Sequence, residues 1–146
     1  MTAYGELRGL EDYRFTDLPS LADSQDPHGL VQLMLDAAVA RVMQAQGALD
    51  AGDTPLKCEL IGKAINLVEG LHACLDEARG GEIALNLAAL YDYMARRLVA
   101  ANAFNDISIL REIASLLREL QTGWREMGQL LNLDQAASAR AAQATR

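Results

Sequence analysis

GGEIALNLAALYDYMARRL, from Gly80 to Leu98, holds a helix stop, a helix start and a long apolar rhythm in one run. A glycine pair suits the left-handed turn that closes a helix, and Glu82 sits where the dipole of the next helix favours negative charge. At roughly 100° per residue, Ile83, Leu87, Leu90, Met94, Leu98 and Ala101 share one face, with Tyr91 at its edge, which predicts a core-facing stripe. Leu85, Ala88, Ala89 and Val99 gather on the opposite side, interrupted by Asp92 and Arg96, where a surface helix ordinarily carries charge. The stretch reads as the corner and second arm of a helical hairpin with apolar surface to spare.

Upstream, Thr54-Pro55 and Asp26-Pro27 are both helix starts, since the first residue can cap an orphan amide and proline at the first position has no amide to lose. They predict helices over about 27–51 and 55–78. In the first, Val31, Met34, Leu35, Ala38, Val42, Ala45 and Leu49 form the stripe, while Leu33, Ala37, Ala40 and Met43 lie off it. The second has an apolar arc covering about half its circumference, wider than the roughly 100° of an ordinary stripe. Gly62 and Gly70 inside it cost about 1 kcal/mol each relative to alanine, which fits either close helix approach or simple tolerance.

Downstream, the third helix is predicted over 82–103, and Asp106 caps a fourth over 106–131. The fourth carries Leu110, Ile113, Leu117, Leu120, Trp124, Met127 and Leu131 at the alternating three- and four-residue spacing of a bundle seam. Residues 132–146 are alanine-rich without an apolar stripe and are expected to be a frayed, flexible tail. Residues 1–25 have no sustained period and are expected to be an arm whose apolar members, among them Leu7, Leu10 and Leu21, dock on something. Short connections force antiparallel neighbours, so the expected fold is all-α, an up-down-up-down four-helix bundle with an N-terminal arm.

The 146 residues are the size of one domain, with no apolar run long enough to span a membrane and no secretory signal pattern, so a cytoplasmic location is expected. A net charge of −7 without a basic cluster argues against nucleic acid. Cys58 and Cys74 fall about 24 Å apart along one predicted helix, beyond disulfide reach, and read as reduced, partly buried side chains.

Chemistry finds little to stand on. Glu69-Gly70-Leu71-His72 has the Glu-x-x-His spacing of di-metal bundles, but the second copy such a site needs is absent. A phosphotransfer bundle using His72 is the alternative function, weakened by the acidic Asp76 nearby. Tyr91, Asp92 and Tyr93 point in different directions around a helix and do not make an acid-base set. No phosphate loop, nucleophile elbow or paired-cysteine spacing is present. No cofactor, no metal and no enzymatic activity are expected.

Taken together, QDPHGLVQLMLDAA, KCELIGKAINLVEGLHACLDEARGGEIALNLAALYDYMARRLVAANAFND and LLRELQTGWREM resemble the flagellar export chaperones FliS, from Tyr13 to Met127. Asp26 stands where that family usually has serine, which keeps the cap, and Leu35-Asp36-Ala37 replaces an aromatic-Asp-Gly element. The resemblance implies a protein, monomeric alone, that grips the disordered C-terminal segment of flagellin, prevents premature polymerisation and delivers it to the flagellar type III export gate. It also implies a role for Leu10 and Tyr13, which have the spacing of an arm element associated with that gate, as gate contact or as part of a lid. Client contacts are expected from outward or edge residues of the second and third helices: Leu60, Ala64, Leu67, Leu71, Leu85, Ala89, Tyr93 and Arg97. An amphipathic segment laid into off-core grooves is a known mode of peptide recognition.

Overall fold

The computed structural model describes residues 26–144. The chain forms four helices there: α1 (Pro27–Asp50), α2 (Thr54–Ala73), α3 (Glu77–Phe104) and α4 (Ile107–Ala144). Both predicted proline starts are used, although the second helix is capped by Asp53 rather than Thr54, which becomes its first residue. Asp26 accepts from the Gly29 amide at 3.0 Å and Asp53 from the Leu56 amide at 3.2 Å, each satisfying a donor that the first helical turn leaves without a partner.

The helices are packed as a ring, α1 against α2 and α4, and α3 against α2 and α4, with α3 against α4 the least extensive of the four seams. Contacts across the seams run in opposite numerical directions, as antiparallel neighbours require. Trp124 lies beside His28 and Arg118 beside Met43, while Lys57 at the start of α2 meets Asn102 and Asn105 at the end of α3.

The core is aliphatic, with Leu35, Val42, Ile61, Val68, Met94, Leu98, Leu110, Ile113 and Leu117 among its fully buried members. Lys57 is the one charged residue buried among the described residues. Its ammonium donates to the Asn102 carbonyl at 2.9 Å and to the Asn105 side chain, so a cation sits at the carboxyl end of α3, where the helix dipole favours it. Asn105 itself turns the chain in the left-handed region, at φ 51°.

Three boundaries differ from expectation. The second helix ends at Ala73 rather than about Ala78, because Asp76 accepts from the Arg79 amide and starts a new turn. The glycine pair then breaks that short turn from the long rod. Gly81 has φ 54° and ψ −129°, a conformation closed to residues with a Cβ. Ile83, two residues on, is 71% exposed instead of lying in the core, and Ala84 takes the buried position. Finally, α4 does not end near 131. It continues to Ala144 through the alanine-rich segment, since alanine is the strongest helix former.

That continuation explains a gradient along the fourth helix. Leu110, Ile113 and Leu117 are buried, Leu120 and Trp124 are half-buried, and Met127 and Leu131 are exposed. The helix has left the bundle by then, because α1, its neighbour, begins at Pro27, level with Trp124. The two helices are tied at that end. The Trp124 indole donates to the His28 carbonyl at 2.9 Å, the His28 ring donates back to the Trp124 carbonyl at 3.0 Å, and the rings stack with centroids 4.5 Å apart. A side chain at Gly128 would collide with that imidazole.

The ambiguity over the glycines of α2 also resolves. A Cβ at Gly70 would sit 2.7 Å from the Met34 terminal methyl on α1, whereas Gly62 faces open space. Cys58 and Cys74 are free and exposed, although partial desolvation raises the Cys74 thiol above its ordinary value. The residues expected to form the N-terminal arm, Leu10 and Tyr13 with them, lie outside the described residues.

Candidate docking surface

Eight positions on α2 and α3 were expected to face outward or to sit at an edge, and they divide cleanly by helix. Leu60, Ala64, Leu67 and Leu71 are buried, Leu67 to 3% and Leu71 to 1% exposure. Their outward placement is corrected. A helix in a four-membered ring faces two neighbours as well as the central core, so most of the half-circumference arc of α2 is taken up by α1, α3 and the interior, with Leu56 and Cys74 left exposed near its two ends.

The four positions on α3 have a different fate. Leu85 is 57% exposed, Ala89 is exposed, and Tyr93 and Arg97 are part-exposed. Spaced four residues apart, they form one ridge that rises about 6 Å per step and spans about 18 Å. Successive members of an i, i+4 row shift by about 40° around the axis. The ridge therefore starts at Leu85 on the outer surface and reaches the α4 seam at Arg97.

Its far end is polar and tied across that seam. The Tyr93 hydroxyl donates to Glu112 Oε2 at 2.8 Å, and Arg97 Nε lies 3.5 Å from Glu112 Oε1. The bond to the carboxylate raises the Tyr93 hydroxyl above its ordinary value. Behind the ridge, Tyr91 is buried, and desolvation raises its phenol as well. Sequence reasoning missed Glu112. It stands next to the core residue Ile113, and nothing in a one-dimensional reading pairs it with residues on another helix.

Other exposed apolar groups flank the ridge. Val99 is 57% exposed on the outer face of α3, as its off-stripe position predicted. The Asp92–Arg96 ion pair, 3.1 Å long and exposed on both sides, interrupts that face, and such a pair contributes about 0–1 kcal/mol. Docking onto this face therefore displaces little that holds the bundle together. A second exposed group, Met127, Leu130, Leu131 and Leu133, lies on α4 where it leaves the bundle.

Chemical alternatives find no constellation. Among the described residues no group of three or more His, Cys, Asp or Glu is placed to hold a metal ion. His72 is exposed in the last turn of α2. No described helix is long and apolar enough to cross a membrane.

Comparison with known proteins bears on what such a surface serves. Residues 13–130 match the family described as flagellar protein FliS. The chain is 42% identical over 118 residues to the flagellar secretion chaperone FliSB of Pseudomonas aeruginosa, an alignment covering 81% of this chain and 94% of that relative. It is 39% identical over 120 residues to the flagellar secretion chaperone FliS of Salmonella typhimurium, covering 82% and 89%. With the corresponding chaperone of Bacillus subtilis the identity is 30% over 100 residues, covering 68% and 74%.

Proposed function

The chain belongs to the FliS family of flagellar secretion chaperones, which are not enzymes, and from that premise we propose that it is a cytoplasmic chaperone that binds the disordered C-terminal segment of flagellin. Bound there, the segment is kept from premature polymerisation and delivered to the flagellar type III export gate. The observation that carries this reading is the α3 ridge, apolar and exposed at Leu85 and Ala89, and polar and part-exposed at Tyr93 and Arg97, where it meets α4.

The energetics suit an extended, amphipathic client. Fully burying one Leu or Val contributes about 1.5–3 kcal/mol, whereas ordering a disordered segment costs about 2–5 kcal/mol or more. Leu85 and Val99 alone barely offset that cost, so the client also covers further surface, including Ile83 and the leucines at the emerging end of α4. Leu10 and Tyr13 are the proposed gate contact, presented when the client has docked.

Co-purification tests the proposal. The chain should retain full-length flagellin and lose it when the flagellin C-terminal segment is deleted. Equal retention of both forms, or of neither, would contradict it.

A further inference from the structure

Arg97 stands at the polar end of the ridge incompletely satisfied. Its Nε is buried and makes no hydrogen bond, although Glu112 Oε1 lies within ion-pair range at 3.5 Å. The other Glu112 oxygen is already held by the Tyr93 hydroxyl, so one carboxylate is shared between two donors that approach from the same helix. Both side chains of the ion pair are about two-fifths exposed, where water and salt screen the attraction. A buried donor left without an acceptor is a standing cost that an incoming acceptor can relieve.

The neighbouring cation behaves differently. Arg96 is held by Asp92 at 3.1 Å with a hydrogen bond from its own Nε. In a chain of net charge −7, general electrostatics repel an acidic segment, so recognition of one needs a local cation with donor capacity left over. Arg97 has that capacity, and a guanidinium presents adjacent N–H groups in a fork that matches a carboxylate side-on.

We propose that Arg97 reads a side-chain carboxylate of the docked segment. On docking, Glu112 releases the guanidinium and keeps Tyr93, and the freed Arg97 side chain turns its N–H fork outward to pair with an Asp or Glu of the client. The client chemistry is thereby specified: an apolar group over Leu85 and Ala89, and an acidic residue at Arg97, about 18 Å along α3 from Leu85 and about 12 Å from Ala89. This rests on the proposed role of the ridge as the flagellin-binding surface.

A double-mutant cycle tests it, using the full chain and a flagellin C-terminal peptide in calorimetry at fixed salt. Each peptide Asp or Glu is replaced in turn by Asn or Gln, the terminal carboxylate is amidated in a separate peptide, and each is titrated into the wild-type chain, Arg97→Gln and Arg97→Lys. One side-chain replacement should weaken binding to wild type about tenfold, ~1.4 kcal/mol, and cost nothing further against Arg97→Gln. Arg97→Lys should retain part of the affinity, and Glu112→Gln should tighten binding a few-fold by freeing the guanidinium. If every replacement costs the same against Arg97→Gln as against wild type, the inference is overturned. Coupling to the amidated terminus alone would overturn the side-chain assignment. Absence of any binding to the wild-type chain would sink the proposed function itself, and this inference with it.

Discussion

α2 and α3 both carry more apolar residues than one helix face needs, yet α2 hides its surplus and α3 does not. Leu60, Ala64, Leu67 and Leu71 disappear between neighbouring helices, while Leu85, Ala89 and Val99 stay open. The difference is one of arc rather than amount. On α2 the apolar residues are contiguous over half the circumference, which two flanking helices and the core can cover. On α3 the surplus lies opposite the core stripe, beyond the reach of any neighbour in a four-membered ring. Apolar content alone does not mark a docking surface. Apolar content separated from the stripe does.

The largest effect that can break this contrast is on stability. Leu71→Ala empties a fully buried site and should cost about 2–5 kcal/mol in urea unfolding. A loss below about 0.5 kcal/mol would mean that α2 is not committed to the interior and would restore it as a candidate surface.

A smaller effect sharpens the polar side of the same helix. Lys57→Met keeps side-chain bulk but leaves the Asn102 carbonyl and the Asn105 side chain without their shared donor, and should cost about 1–3 kcal/mol. Hydrogen exchange should accelerate at the α3–α4 corner. Stabilisation instead would mean that desolvating the ammonium outweighs its two bonds.

The number of helices, their order, both proline starts and the seam of α4 as far as Trp124 were legible in the sequence, because period and capping are local properties. The bounds at Ala73 and Ala144 were not. Asp76 competes with the glycine pair as a boundary signal, and the alanine-rich end of α4 has helix propensity without an apolar stripe to announce it. For the candidate site, periodicity separated Leu85 and Val99 from the core of α3. It could not settle α2, where the number of neighbours decides how wide an arc is buried. Ile83 had the right phase for the core but the wrong place along the rod, next to the break at Gly81. Glu112 became visible only when two helices were set side by side.

The effect on the fold should be smallest, and the effect on binding greatest, at Leu85. Leu85→Glu should leave the unfolding free energy in urea within about 0.5 kcal/mol of wild type, since the side chain is 57% exposed. Calorimetry with the flagellin C-terminal peptide should show affinity reduced by about tenfold or more, because a charge replaces an apolar anchor that the client is proposed to cover. Unchanged affinity in a folded Leu85→Glu chain would contradict the assignment of the α3 ridge as the client-docking surface.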